Sequence, residues 1–488
     1  MTMTRNLLLA WLFCTSAAAR AQGTVVPPPQ PPPLDPLSAL KAGAGGLTAE
    51  QVARRAAESS VDARVKQRVV DAAEARRQEA EAGYLPRLTG TARYSRLSPV
   101  APIEFAPPGV SFVVKGTPGP IGALSDLSAF PFPPIPTPVN QYAFQASLTV
   151  PLSDYVFRVS RAIAAATHSA RAARVDEQAA RLRVAAEARV VYYQWIRARG
   201  QSLVAAQALE QARAHLHDAQ QMLAAGVVSR ADTLRAESQV KSIELLQTRT
   251  LNLVELTEEQ LRIVMHDEGA HHFDIGEDVT AALPPRPGDA NLVRLQDEAF
   301  DHRLELRALD ETAGSVREMG QVARAAQYPR LDLAGNALYA NPNQRIFPLR
   351  DQFDSTWDAS VQLSWTPTDI PGSRASSAVY AAQEAQIIAQ RQALLDGLRL
   401  EVTQAYQLQR EAEVALATSL QGSLAAEESA RVRRDLFRNG KATLVEVNDA
   451  EGELTRSRME VVNAHIDARI ARVRLDHAVG RDASSVRL

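Results

Sequence analysis

Four segments of the chain alternate apolar and polar residues with a period of two. The clearest sets Trp357, Ala359, Val361, Leu363 and Trp365 against Asp358, Ser360, Gln362, Ser364 and Thr366. A second sets Tyr142, Phe144, Ala146, Leu148 and Val150 against Gln141, Ala143, Gln145, Ser147 and Thr149. Leu88, Gly90, Ala92 and Tyr94 alternate with Arg87, Thr89, Thr91, Arg93 and Ser95. The weakest pattern runs Leu331, Leu333, Gly335, Ala337 and Tyr339 against Asp332, Ala334 and Asn336. Successive strand side chains point to opposite faces, so each segment predicts a β-strand with one apolar face. The expected strands are residues 87–97, 140–151, 330–340 and 355–367. Each has about the length of a strand tilted through a bilayer, with aromatics near its ends, as in transmembrane barrels. A half-buried strand of a soluble sheet shows the same period, so the pattern alone leaves both readings open.

Between the strands the chain is strongly helical. Asp154 to Ala225 has no proline and a single internal glycine, Gly200, and Gly372 to Asn439 is also free of proline. At about 1.5 Å per residue each stretch reaches roughly 100 Å, far beyond an ordinary globular helix. Ala, Glu, Gln, Arg and Leu dominate, all good helix formers. Small residues, as in Val184-Ala185-Ala186-Glu187-Ala188-Arg189, permit close approach of neighbouring helices. Great length without a thick apolar stripe predicts coiled-coil packing.

Length alone would suggest roughly three domains, but internal repetition replaces that estimate. Ala82-Gly83-Tyr84-Leu85-Pro86-Arg87-Leu88 recurs as Ala325-Ala326-Gln327-Tyr328-Pro329-Arg330-Leu331, each time after a helical stretch and opening a strand. Gly226-Val227-Val228-Ser229-Arg230-Ala231-Asp232 recurs as Gly440-Lys441-Ala442-Thr443-Leu444-Val445-Glu446, each time between two long helices. The chain is therefore expected to hold two helix–strand–strand–helix units, residues 47–265 and 290–480. A connector at 266–289 contains Pro284-Pro285 and Pro287-Gly288, and a short tail follows at 481–488. Long loops rich in Pro and Gly (Leu97 to Asn140) or shorter (Asn341 to Ser355) join the paired strands. Four strands cannot close a membrane barrel, and an open edge in lipid leaves backbone groups unpaired. The chain is thus expected to oligomerise through its strand edges, three copies giving a 12-stranded barrel.

The first residues carry an export pattern: Arg5, an apolar run from Leu7 to Phe13, and Ala19-Arg20-Ala21 before Gln22. Residues 1–21 are expected to be a removable signal peptide, the apolar run being too short to span a membrane. Cys14, the only cysteine, follows Trp11-Leu12-Phe13, which lacks the small residue a lipidation site needs. Residues 22–46 form a Pro/Gly-rich linker, either a spacer toward the cell wall or an ordinary disordered leader. With 54 Lys and Arg against 56 Asp and Glu there is no basic excess for nucleic acid. No later apolar run reaches spanning length as a helix. No glycine loop for nucleotide and no nucleophile–base pair stands out, so neither an enzyme nor a cofactor is expected.

Taken together, the doubled layout, the Pro-x-Leu strand openings at Pro86 and Pro329, the strand-closing Val150-Pro151-Leu152 and Trp365-Thr366-Pro367, and the two Gly-x-x-(Ser/Thr)-x-x-(Asp/Glu) turns resemble the TolC-like outer-membrane efflux protein family over residues 47–480. The resemblance implies a homotrimer whose β-barrel lies in outer-membrane lipid and continues as an α-helical tunnel through the periplasm. It implies a periplasmic adaptor and an inner-membrane pump as partners, in efflux or type I secretion, and hairpin turns at the periplasmic mouth. Gly226, Ser229, Gly440 and Thr443 would form adaptor-contacting tips. Glu446 and Asp449, with Asp232, match acidic positions that ring the entrance. The latch of the best-studied relatives pairs an aspartate, here Asp232, with an aromatic hydroxyl and an arginine. Those two positions carry Phe437 and Ala442, which puts the latch in doubt; Arg438 or Lys441 are possible substitutes. His266, His271 and His272 lie in or beside the connector without metal-ligand spacing, and Tyr192, Tyr193 and Trp195 read as helix packing. The competing function is a periplasmic coiled-coil adaptor or scaffold. Cargo stays open among drugs, metals and polypeptides. Mass spectrometry of the exported protein should find Gln22 at its N-terminus and no lipid; a diacylated Cys14 would overturn the signal assignment.

Overall fold

The structure, a computed structural model, describes residues 40, 42–43, 45–99, 112–115, 127–130, 138–269, 272–284, 291–347 and 349–482. The export signal, most of the Pro-rich linker, His271, Pro285 to Gly288 and the last six residues lie outside the described residues. In chain order the elements are α1 (Ala49–Ser59), α2 (Val61–Ala82), β1 (Arg87–Arg96), β2 (Phe112–Lys115), β3 (Leu127–Phe130), β4 (Asn140–Pro151), α3 (Leu152–Asp154), α4 (Ser160–Ala224) and α5 (Arg230–Met265). The second half follows as α6 (Leu292–His302), α7 (Leu304–Ala325), β5 (Arg330–Asn341), β6 (Asp354–Ser364), α8 (Ile370–Arg438) and α9 (Leu444–Val479). Each half is thus two short helices, a pair of long strands, one very long helix and one of half that length.

The four long strands form one antiparallel sheet in the order β1-β4-β5-β6. Its register places Leu88 opposite Leu148, Leu148 opposite Gly335 and Gly335 opposite Ala359. Directly opposed residues share a face, so the four apolar rows merge into one continuous surface and the polar rows into the other. No described residue covers the apolar surface: Leu88, Trp357, Val361 and Leu363 are 73%, 80%, 68% and 69% exposed. A soluble sheet would bury that face against a core. This one is left for a solvent as apolar as itself.

Aromatic rings mark both rims. Tyr94 with Tyr142 (centroids 5.0 Å) and Tyr339 with Phe353 (5.0 Å) cluster at one end. Tyr84 with Tyr155 (5.5 Å) and Phe157 with Tyr328 (5.2 Å) cluster where strands meet helices. The 12 residues of β5, at about 3.3 Å each and a tilt of about 40°, rise roughly 30 Å, the thickness of a hydrocarbon core.

Three details depart from the sequence expectation. β6 ends at Ser364 because Pro367, which has no N–H to pair, opens a 3₁₀ turn, and the Trp365 indole donates to the Gln327 carbonyl at 3.3 Å. A π-helical turn at Tyr155–Val159 delays α4 to Ser160. The β1–β4 loop holds a ribbon, β2 paired with β3, that four-residue strands are too short to announce as a pattern.

Near the sheet α4 lies between α2 and α7, and α7 packs on α8; farther away α4 lies between α5 and α9, and α9 packs on α8. One long margin of the chain is therefore β1, α2 and α5, and the other is β6 and α8. The principal core sits midway, where Tyr192, Trp195 and Ile196 of α4 meet Leu261 of α5, Ile466 of α9, and Leu47, Phe273 and Ile275 of the connecting segments. Tyr192 donates its hydroxyl to the Leu47 carbonyl at 2.5 Å, and Leu47 bridges Ile275. Arg469 donates to the carbonyls of Asp278 (2.8 Å) and Ala281 (3.0 Å), fastening the connector to α9. Arg303, nearly buried, reaches Glu401 at 2.9 Å and the carbonyls of His477 and Ala478 at 3.3 Å, supplying donors that the end of α9 lacks.

The two faces of the sheet respond differently to charge. Val361→Arg, on the apolar face, should cost about 2–4 kcal/mol of folding into bilayers, while Gln362→Arg, on the polar face, should cost little. Urea titrations in lipid vesicles measure both. Equal costs would contradict the facing read from the register.

Candidate functional site at the hairpin tips

The repeated Gly-x-x-(Ser/Thr)-x-x-(Asp/Glu) segment folds identically in both helical hairpins, and each of its three marked residues has a mechanical task. Gly226 (φ 73°) and Gly440 (φ 67°) adopt the left-handed conformation that ends α4 and α8. At the first tip Gly226 N–H donates to Leu223 (3.0 Å) and Val227 N–H to Met222 (2.9 Å); at the second Gly440 donates to Phe437 (2.9 Å) and Lys441 to Leu436 (2.8 Å). This pattern satisfies carbonyls that a helix end leaves bare. Two residues later Ser229 and Thr443 cap α5 and α9 through their side-chain oxygens. Asp232 and Glu446 fold back onto the cap backbone at 3.2 Å and 2.8 Å, closing a capping box at each tip.

Both carboxylates are shifted by this work. The Ser229 hydroxyl, then its N–H, hold the Asp232 carboxyl below the usual carboxylate range. The Thr443 N–H does the same for Glu446, helped by the Thr443 hydroxyl and the Arg433 guanidinium. Arg433 Nη1 lies 2.9 Å from Glu446. Asp449 stands one turn farther along α9, exposed, with no ion-pair partner among the described residues. The two acids expected at the entrance therefore differ: Glu446 is neutralised locally and Asp449 is not.

Asp232 makes its bonds within its own turn, and the second hairpin offers it no hydroxyl. Phe437, like Leu216, packs instead against Ala219, Ala236 and Leu444, an apolar cluster joining both hairpins. Arg438 and Lys441 are exposed and form no ion pair among the described residues. One polar contact between hairpins lies higher, at Glu451 of α9. Its carboxylate sits 3.0 Å from Arg434 Nε of α8 and 3.4 Å from His215 Nε2 of α4. Burial opposes ionisation of Glu451, but the neighbouring His215 imidazole and the Arg434 guanidinium outweigh it, and its carboxyl rests below the usual range. Sequence reasoning missed this hub because its three residues come from three helices and no motif connects them.

The remaining candidates have structural partners. His266 ends α5 in a left-handed conformation with Nδ1 3.3 Å from Ser59 Oγ, and His272 Nδ1 lies 3.0 Å from Glu258. Among the described residues no three His, Cys, Asp or Glu side chains gather as a metal site. Tyr192 and Trp195 are core. No described helix is long and apolar enough to cross a membrane.

A bare apolar sheet of membrane height, continued by paired helices with two matching capped turns, defines a protomer of an outer-membrane channel. A family model described as outer membrane efflux protein matches residues 52–265 and 295–481, and the chain belongs to that family. Among solved structures it is similar to the outer-membrane channel OprN, with 18% identity, a TM-score of 0.68, and coverage of 92% of this chain and 95% of that one. The CmeC outer membrane channel of Campylobacter jejuni gives 14% identity, a TM-score of 0.68, and coverage of 89% and 88%. The open-state MtrE outer membrane channel of Neisseria gonorrhoeae gives 16%, 0.68, and 88% of each chain. Compared by sequence with curated proteins, the chain matches none. The protein is an outer-membrane efflux channel, its sheet in the outer membrane and its helices in the periplasm.

Ser229→Ala or Thr443→Ala should each remove about 1 kcal/mol from the first turn of α5 or α9, seen as faster amide exchange confined to that turn. Because the folded Asp232 and Glu446 carboxyls titrate below their ordinary values, their support is complete above the carboxylate range. It is lost as pH falls through the depressed values. Tip protection, corrected for intrinsic exchange, should therefore be constant near neutrality and decline only in acid; protection that rises on acidification would contradict the box.

Proposed function

We propose that three copies close edge to edge into a tunnel that receives cargo from an inner-membrane pump through a periplasmic adaptor and releases it outside the cell. The observation that carries this reading is the pair of open sheet edges, β1 and β6, flanking an uncovered apolar face. In lipid each unpaired backbone group costs several kcal/mol, so β6 of one copy must pair with β1 of the next. The helices support the same closure. Leu234, Leu245, Leu256 and Ile263 are 55%, 52%, 56% and 63% exposed and line one stripe of α5, the margin that would meet a neighbour's α8. A periplasmic adaptor or scaffold would have no use for a bare sheet of membrane height.

Gly226, Ser229, Gly440 and Thr443 shape the tips that contact the adaptor. Asp449, with Glu446 and Asp232 close by, places three symmetry-related sets of carboxylates around the mouth, where their field favours cations and binds multivalent blockers. The unpaired Asp449 carries more of that field than the Arg433-bound Glu446. Energy comes from the pump, and this chain catalyses no reaction.

Native mass spectrometry in mild detergent should show three chains; a monodisperse monomer would refute closure through the edges. In planar bilayers Asp449→Ala should lower cation preference and trivalent-ion block severalfold, and Glu446→Ala/Asp449→Ala only slightly further. If Glu446→Ala alone abolishes block, the division between the two acids is wrong. If neither variant changes it, the gate lies elsewhere along the tunnel.

A further inference from the structure

The loop between β5 and β6 leaves the sheet at the end far from the helices and turns back across the polar face. Asn343, 1% exposed, anchors it. Its side-chain amide donates to the Asp354 carbonyl and to Thr356 Oγ1, both at 3.1 Å, and its Oδ1 accepts from the Arg345 N–H at 3.0 Å. The Ile346 N–H closes the turn on the Asn343 carbonyl at 3.1 Å, and Gln344 reaches Gln141 of β4 at 3.4 Å. Arg345 then extends inward along the strands. Its Nη2 lies 2.6 Å from Asp358 Oδ1, while Asn336 donates to the other carboxylate oxygen at 2.9 Å. Asp358 sits four residues inside the end of β6, about 13 Å along the strand, on the face opposite Trp357.

We infer that Pro342 to Ile346 form a strap folded into the exit of the tunnel, where it selects cargo by size. Asn343 is its anchor and the Arg345–Asp358 pair its clasp. This rests on the reading that three chains close with their polar faces inward. A loop free to extend into water gains nothing by burying an amide, and burial is tolerated only because both ends of the Asn343 amide are bonded. The half-exposed ion pair adds little alone, but the backbone of Arg345 is already fixed by Asn343, so less freedom is lost in making it. Twelve strands about 4.8 Å apart and tilted about 40° enclose a ring roughly 24 Å across between backbones. Three straps on its inner wall take much of that width. Because Asp358 matches Arg345, the strap adds little net charge. The exit therefore sorts by size, whereas the carboxylates at the opposite mouth sort by sign.

The test uses the full-length channel in intact cells, with Gln362→Cys as a reporter on the polar face, four residues deeper than Asp358. Cys14 in the leader is the chain's only native cysteine. A small water-soluble maleimide should label the reporter. A maleimide carrying a long polyethylene glycol chain, which can enter only from outside, should label it slowly. Adding Asn343→Ala, which removes the anchoring bonds, should speed the bulky reagent about tenfold or more. Arg345→Gln should speed it severalfold, and the exchange Arg345→Asp/Asp358→Arg should restore slow labelling. The small reagent's rate and the trimer content should stay as in wild type throughout, which separates release of the strap from misfolding. Bulky labelling at one rate, fast or slow, with and without Asn343→Ala overturns the strap. An effect of Asn343→Ala with none of Arg345→Gln overturns the clasp. A reporter that even the small reagent cannot reach overturns the inward-facing polar wall itself, a failure distinct from that of the strap.

Discussion

Backbone hydrogen bonding in hydrocarbon governs this molecule. Water can satisfy the edge of a soluble sheet, but lipid cannot, so a membrane sheet must close on itself. Four strands are too few to do so, and the apolar face they share leaves no soluble alternative. The shape of the chain follows from that deficit. Its helices form a continuation of the sheet, with β1, α2 and α5 along one margin and β6 and α8 along the other. In the closure proposed above, each margin would meet the opposite margin of a neighbour, a head-to-tail contact that closes into a ring when the curvature is right.

A tunnel of this length needs a place where helices are held in phase, because thin coiled-coil contacts specify register weakly. α4 has 65 residues, while α2 and α5 beside it have 22 and 36. Near the middle of α4, Val52 of α1, Leu261 and Met265 at the end of α5, and Leu47, Phe273 and Ile275 of the connecting segments pack on its own Tyr192, Trp195 and Ile196. Trp195 and Tyr192 are fully buried there although much of α4 packs through alanine. Arg469, Arg472 and Arg199 donate to connector carbonyls, replacing the sheet or helix partners those groups lack. The midpoint belt does the work of a globular core, and the hairpins beyond it are free to be thin.

How far the sequence discloses this depends on the range of each interaction. The sheet is legible because alternation is local and each of β1, β4, β5 and β6 has at least 10 residues in which to show it. The tips are legible because a left-handed glycine, a capping hydroxyl and an acid three residues later lie within seven positions. What stays hidden is set by helix phase over long separations. Whether Arg433 faces Glu446, or His215 faces Glu451, depends on rotation about axes tens of ångströms long, and small errors in phase move a side chain to another face. The Phe437 contact is hidden for the same reason. Its loss of a hydroxyl is visible in the sequence, but its packing against the cluster of Ala219, Ala236 and Leu444 is not.

The tips show how one residue pattern serves stability and function with different atoms. The capping box uses the Glu446 carboxylate, and Arg433 then neutralises what charge it still projects. A carboxylate so engaged is a poor attractor for passing cations, whereas Asp449, one turn along, has no ion-pair partner among the described residues. The separation follows from helix geometry. An acid at the third helical position can fold back to the cap, but one three residues farther faces the same side beyond reach of it. A hairpin can therefore present a rigid turn and an electrostatically active wall on one helix face only by placing acids at successive turns. Because both turns satisfy their own backbone, the tips are ordered before any partner arrives. Recognition then falls to the side chains they display.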